Sequence, residues 1–135
     1  MRKQANPRRD RRGVAATEFA VCLPVLVLLL LGMIETCSMV FLKQSLACVA
    51  YEGSHTAVMP GATEADVRRV CEGLLAQRRV RGATVRVSPS NLPALPDGEY
   101  FEVTVAAPTD ANGFIPGRFF RGQTLSATAV MMKEI

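Results

Sequence analysis

Arg11-Arg12-Gly13-Val14-Ala15-Ala16-Thr17-Glu18-Phe19 is the stretch on which the reading of this chain turns. On one side of it lies a basic segment, on the other a long apolar run. Residues 1–12 hold Arg2, Lys3, Arg8, Arg9, Arg11 and Arg12 against Asp10. The net charge of +4 for the whole chain therefore divides into +5 in this leader and −1 in the remainder. Such a distribution is not the footprint of a nucleic-acid-binding domain, where Lys and Arg line a folded surface. Placed directly before an apolar run, it is what the positive-inside rule keeps in the cytoplasm. Having no apolar face, residues 1–12 read as disordered.

Beyond Gly13 the composition changes abruptly. Residues 14–42 are nearly all apolar, broken by Thr17, Glu18, Glu35, Thr36 and Ser38, with no charge between Phe19 and Ile34. A helix of about 20 mainly apolar residues crosses a bilayer core, and the block Leu23–Leu31 favours helix. Pro24 inside it removes one backbone bond and is expected to kink the helix, which a membrane segment tolerates. Further on, Leu42, Leu46, Val49 and Ala50 oppose Lys43, Gln44 and Glu52, so the helix continues as an amphipathic one to about Thr56. Met59-Pro60-Gly61 ends it.

The remainder, 61–135, reads as a small domain. Thr63, with Asp66 three residues on, has the form of a capping box. Val67, Val70, Cys71, Leu74 and Leu75 share one helix face, and Arg68, Arg69, Glu72, Arg78 and Arg79 the other. Gly82 is expected to close that helix. Three alternating stretches follow, at 83–88, 100–107 and 123–132, separated by Pro- and Gly-rich loops at 88–98 and 108–122. The fold class is α+β. A leader (1–13) precedes a membrane helix (14–42), its continuation outside (43–60), and a second amphipathic helix with a three-stranded antiparallel sheet (61–135).

Glu18 is the residue needing an explanation. An ionised carboxylate at membrane depth costs on the order of 2.5–3.5 kcal/mol, so it implies a partner. One appears if the chain is cut after Gly13: the new amine of Val14 can meet a Glu18 carboxylate, that of a neighbouring helix above all, and fix its register. Glycine suits a cut site because a residue without Cβ lets a protease approach the backbone. An uncut anchor explains the leader equally well but not the placing of Glu18. Against an ordinary secretory signal stand the length of the run and the lack of a small-x-small site at its end. Ser45-Leu46-Ala47-Cys48 lies too far past the run for a lipoprotein site.

Other residues carry less. Glu35 reads as interfacial, at the outer edge of the bilayer. Cys22 and Cys37 read as small apolar residues. Cys48 and Cys71, outside the cytoplasm and on two helices expected to pack, are a candidate disulfide whose geometry the sequence does not fix. His55, the single histidine, reads as a solvated helix-end residue; its neighbour Ser54 faces another way. Phe114, Phe119 and Phe120, in a loop that also carries Ile115, read as core cover, with a partner-binding patch as the alternative. No zinc spacing, phosphate loop or paired carboxylate site is present, so no metal, cofactor, small-molecule substrate or enzyme activity is expected.

The leader and run resemble the class III signal of type IV pilins and pseudopilins, and more closely the TadE-like family of the Tad (Flp) pilus system. The residues that carry the resemblance are Arg11-Arg12-Gly13, the run Ala15–Ala20, Leu23-Pro24 and Leu31-Gly32-Met33-Ile34-Glu35, together with the C-terminal 125–134. It implies a minor pseudopilin, with Gly13 and Val14 flanking the cut of a prepilin peptidase on the cytoplasmic face. Glu18 would be the fifth residue of the mature chain. Phe19 stands where the major pilins of that system usually have Tyr. The implied partners are the inner membrane, the peptidase, other pilins and the assembly machinery. The soluble domain would lie in the periplasm or beyond. The rival, from a different class, is an uncleaved single-pass anchor carrying an extracytoplasmic binding or adhesion domain.

Overall fold

A computed structural model describes residues 7–114 and 119–134, with side chains from residue 13 onward. The elements are α1 (Pro7–Val58), α2 (Glu64–Gln77), β1 (Thr84–Ser88), β2 (Tyr100–Pro108) and β3 (Thr124–Met132). The expected α+β order is present. Two units divide the chain at residues 34 and 35. The change of surroundings falls inside α1.

The first unit is the N-terminal part of α1. The helix starts at Pro7, so the second half of the leader is helical rather than disordered. Proline at the first helical position has its φ already set and lacks only an N–H that would be unpaired there. Residues 1–6 lie outside the described residues. Pro24 lies inside the helix without ending it. Every residue from Gly13 to Leu31 is exposed, and the helix over Gly13–Val58 is long and apolar enough to cross a membrane, with mean hydropathy 2.5 in its most apolar window. A helix apolar all round has no side to turn to water.

The second unit begins at Glu35, taking in residues 35–42, which the sequence places within the apolar run. From here α1 has an inner stripe: Glu35, Met39, Leu42, Leu46, Val49, Ala50 and Ala57 are buried, at the three- and four-residue spacing that puts side chains on one helix face. The stripe packs against one face of an antiparallel sheet in the order β1-β2-β3. The register pairs Val87 with Val103 and Val103 with Ala129. Along β2, Phe101, Val103, Val105 and Ala107 point inward, and Glu102 and Thr104 outward, the alternation of a sheet covered on one side. On the outer face Thr104 and Thr128 hydroxyls meet at 2.8 Å. Each fully buried aliphatic side chain contributes about 1.5–3 kcal/mol, so the inner faces of α1 and β2 hold most of the domain's stability.

Helix α2 starts as its sequence implies. The Asp66 amide donates to Thr63 Oγ1 at 3.3 Å, and the Thr63 amide returns a bond to Asp66 Oδ2 at 3.1 Å. The Thr63 hydroxyl and amide hold the Asp66 carboxyl below its usual pKa. Its inner face is Val67, Cys71 and Leu75. Val70, expected on that face, is 38% exposed, because the contact with the domain is a narrow stripe of every fourth residue. The helix ends at Gln77, before Gly82. The residue that takes the left-handed turn is Arg79, with φ 57°, and Val80 donates back to the Leu75 carbonyl at 2.9 Å. Gly82, also left-handed, turns the chain into β1 under Pro108.

Gly53 marks the closest approach of three elements. A Cβ there would sit 2.5 Å from Cys71 Sγ on α2 and 3.2 Å from Val103 Cγ1 on β2. Gly53→Ala is expected to lower the unfolding free energy by about 1–3 kcal/mol through overpacking. Arg79→Gly, relieving a left-handed side chain, should raise it by about 1 kcal/mol. Denaturant unfolding of the full chain in detergent micelles checks both signs; a stabilised Gly53→Ala would contradict this packing.

Candidate functional site

Two places on α1 carry chemistry. The first is its start. Gly13 has nothing within 4 Å of the position a Cβ would take, and Val14 and Glu18 are exposed. Thr17 Oγ1 donates to the Val14 carbonyl at 2.8 Å and lies 3.2 Å from that of Gly13, so the one other polar side chain of this turn is satisfied by the helix itself. Glu18 stands four residues beyond Val14, on the same face of the helix. The arrangement presents a bare glycine and a carboxylate on an otherwise apolar cylinder.

The second is Glu35, the first residue of the packed unit. It is 6% exposed, and its carboxylate accepts two backbone bonds from the loop between β2 and β3. The Phe119 amide donates to Oε1 at 3.1 Å, with Oε2 at 3.4 Å, and the Phe120 amide donates to Oε1 at 3.2 Å. A buried carboxylate is tolerable when N–H groups replace its water, and charge-assisted bonds of this kind are about twice as strong as neutral ones. Sequence reading places Glu35 at an interface and finds nothing for it to bind. Its partners are main-chain amides, which leave no trace in residue type.

The same loop is braced elsewhere. Thr109 Oγ1 donates to the Phe120 carbonyl at 2.6 Å, Asp110 accepts from the Gly122 amide at 3.1 Å, and Asn112 exchanges bonds with the main chain of Arg81 at 2.7 and 2.8 Å. The backbone is thus held at several of its described residues, while two of its aromatic side chains are exposed. Phe114 is 87% and Phe119 62% exposed, against the expectation that they cover the core; Phe120 is half-buried. Ile115 lies outside the described residues.

Cys48 and Cys71 are not bridged; all four cysteines are free. Cys71 faces Gly53 and Val49, its thiol 3.7 Å from the Val49 carbonyl. Cys48, next to Val49 and about 100° further round the helix, sits against the Arg78 guanidinium at 3.1 Å. The candidate bridge fails by one helix position. Burial, aided by Glu72, pushes the Cys71 thiol up to about 11. His55 and Ser54 form no catalytic pair: His55 stacks edge-on with Tyr51 at 6.4 Å, while Ser54 Oγ donates to the Tyr51 carbonyl. Among the described residues no three His, Cys, Asp or Glu side chains are grouped to hold a metal ion.

Residues 13–55 match the family described as TadE-like protein. Over these residues the chain is similar to TadE-like proteins. The matched TadE-like segment opens on Gly13, takes in Glu18, Pro24 and Glu35, and ends three residues before α1 does. The match covers about a third of the chain, and its apolar part lies in a helix that is long and apolar enough to cross a membrane. The C-terminal stretch 125–134, which carries part of the sequence resemblance, lies outside the match. No curated protein and no solved structure matches the chain.

Removing the Glu35 carboxylate leaves the Phe119 and Phe120 amides without their acceptor. Glu35→Ala is expected to cost about 1–3 kcal/mol and to abolish protection of those two amides in hydrogen exchange. Glu35→Gln, keeping one carbonyl, should retain part of that protection. Unchanged protection in Glu35→Ala would contradict the bonds described.

The raised thiol pKa has its own consequence. Because the folded form favours the neutral thiol, the stability Cys71 contributes is fully present below its ordinary value of 9.0 and is lost as pH rises through about 11. Denaturant unfolding should show that fall between pH 9 and 11 in the natural chain and a shallower one in Cys71→Ala. Equal slopes would remove the assignment.

Proposed function

We propose that this chain is a minor pseudopilin, an assembly subunit of a Tad-type pilus that a prepilin peptidase cuts between Gly13 and Val14. The single observation carrying the proposal is the carboxylate of Glu18. It stands exposed on a helix with apolar surroundings, five residues past an open glycine, in a segment whose TadE-like match starts at that glycine.

The physical logic runs from the leader inward. Six basic residues hold the N-terminus on the cytoplasmic side. Gly13 weakens the helix locally by about 0.5–1 kcal/mol relative to alanine, easing the unwinding that any protease needs to reach its peptide bond. Hydrolysis there releases the leader with a new carboxylate and leaves a protonated amine on Val14. In the bilayer that amine and a Glu18 carboxylate each lack water. Pairing between neighbouring subunits relieves both, and places one helix against the next at a fixed height. The exposed apolar surface from Val14 to Leu31 supplies the lateral contact with lipid or with other pilin helices.

In this reading the packed unit is carried outside the cytoplasm, and the function is structural rather than catalytic. The TadE-like family is a pilus-associated one and is not known for enzymes. The chain's partners would be the peptidase, the other pilins and the assembly machinery in the inner membrane.

The intact mass of protein purified from membranes tests this. Coexpressed with a prepilin peptidase, the chain should begin at Val14, and Gly13→Leu should keep its leader. Glu18→Ala should be cut normally yet fail to enter the pilus complex. A chain that keeps residues 1–13 in the presence of active peptidase would overturn the proposal in favour of an uncut anchor. Normal assembly of Glu18→Ala would overturn the pairing.

A further inference from the structure

The sheet has two edges, and they are finished differently. In an antiparallel ladder, successive residues turn their N–H and C=O groups to opposite sides of the strand. The Lys133 amide donates to the Glu99 carbonyl, and the Thr109 amide to that of Gln123. The odd-numbered residues of β3 therefore bond to β2, in the register that pairs Val103 with Ala129. Its even-numbered residues, Thr124, Ser126, Thr128, Val130 and Met132, turn their main-chain groups to the free edge. By the same alternation Arg86 bonds to Thr104 of β2, and Val85 and Val87 face the free edge of β1. That edge is only five residues long, and α2 closes it: Arg68 Nη1 donates to the Val85 carbonyl at 3.0 Å. Strand β3 is nine residues long, with no charge and no proline, and its register runs without a bulge. Lys43 takes the Ser126 carbonyl. Among the described residues nothing meets the outward groups of Thr128, Val130 and Met132. A row of this kind is a template for another extended strand.

Helix α1 runs beside this edge. Glu35 meets Phe119 and Phe120, Lys43 meets Ser126, and Tyr51 lines one cavity with Met131 and Met132. The helix and β3 therefore run side by side in the same direction. Lys43, Ala47 and Tyr51 are all exposed, and their four-residue spacing puts them on one flank of the helix, next to the edge. Tyr51 is 53% exposed, Val130 59% and Met132 44%. Val130 and Met132 lie on the outer face of the sheet, with Thr128, and Tyr51 on its helix side.

We infer that a second copy of this chain adds its own β3 at this edge, parallel to the first, so that two three-stranded sheets become one. Parallel strands keep both α1 helices pointing the same way, and both apolar segments then leave the pair at one end, as a shared membrane requires. A two-fold axis along the strands turns the second sheet over. Val130 and Met132 of the second copy then face Ala47 and Tyr51 of the first, and the reverse contact forms at the same time. What each copy leaves exposed here is cover for the other. The strands bring no like charges together. The edge is about 30 Å long and, with the helix layer, about 20 Å deep. Pairing buries on the order of 1,200 Å² in all, the lower limit of stable interfaces. Because Arg68 closes the other edge, assembly stops at two copies instead of running on as a fibre. The inference rests on both copies sharing a membrane and is independent of cleavage after Gly13.

The full chain in dodecyl maltoside micelles, weighed by sedimentation with the detergent density-matched, should be a dimer and nothing larger. Hydrogen exchange read by NMR should show the Thr128, Val130 and Met132 amides protected along with those of Ala127, Ala129 and Met131. Val130→Pro removes a donor that faces the free edge and leaves the ladder with β2 whole. It should give a monomer in which Ala127 and Ala129 stay protected while Thr128 and Met132 exchange freely. Thr128→Lys keeps every donor and sets a cation on the Lys43 flank of the other copy. It too should be monomeric, and it decides the matter if the proline unfolds the strand. A monomeric natural chain overturns the inference. So does a dimer that survives both substitutions, since another surface, the apolar helix included, then holds it, and so do particles larger than two copies. In nanodiscs wide enough for two chains the same dimer should form; its loss there would mean antiparallel strands and overturn the parallel pairing.

Discussion

One helix has two kinds of surface, exposed all round over residues 13–31 and buried along one stripe from Glu35, and the rest of the structure depends on it. An α-helix satisfies its own backbone polar groups, which is what allows a chain to enter hydrocarbon. Over residues 13–31 every side chain of α1 faces away from the protein, and no inner stripe forms. From Glu35 the same helix has an inside and an outside. Nothing in the backbone marks the change; it lies wholly in the side chains. The first of those side chains to be buried is a carboxylate, and it takes loop amides in place of water.

That arrangement explains how so small a domain holds together. The packed unit has only three strands and a 14-residue second helix, too little to bury a large core unaided. Its largest single contribution is the inner stripe of α1, including the fully buried Leu46 and Val49. Gly53 is the point of tightest packing, where α2 and β2 both press on the helix. The part of α1 from Glu35 onward is thus itself a layer of the core, so the packed unit does not form without it.

Much of this was legible in the residues. The capping box at Thr63 and Asp66, the alternation along β2 and the turn at Met59-Pro60-Gly61 are local signals, and each one landed within a residue or two of its element. Composition also separated the apolar run from the amphipathic continuation. What escaped was set by contacts between distant parts. Glu35 pairs with main-chain amides more than eighty residues away, and no residue type announces that. The Cys48–Cys71 bridge failed because Val49 and Gly53, not Cys48, face Cys71, a difference of one helix position that spacing alone does not resolve. Arg79 took the left-handed turn expected of Gly82 because the Schellman bonds close where α2 stops packing. Phe114 and Phe119 read as core cover because a phenylalanine in a loop gives no sign of which way it points.

The most direct test of the central claim reads the surroundings of α1 residue by residue. Nitroxide labels scanned along the helix in lipid vesicles report collisions with oxygen, which concentrates in hydrocarbon, and with a water-soluble relaxant. Two regimes meeting near Glu35 are expected. Over positions 14–34 oxygen access should be high on every face, with no helical period, and beyond 35 both reagents should rise and fall with a period of about 3.6 residues. A helical period running unbroken through 14–34 would mean that this half, too, has a protein side, and would contradict the division of one helix between lipid and domain.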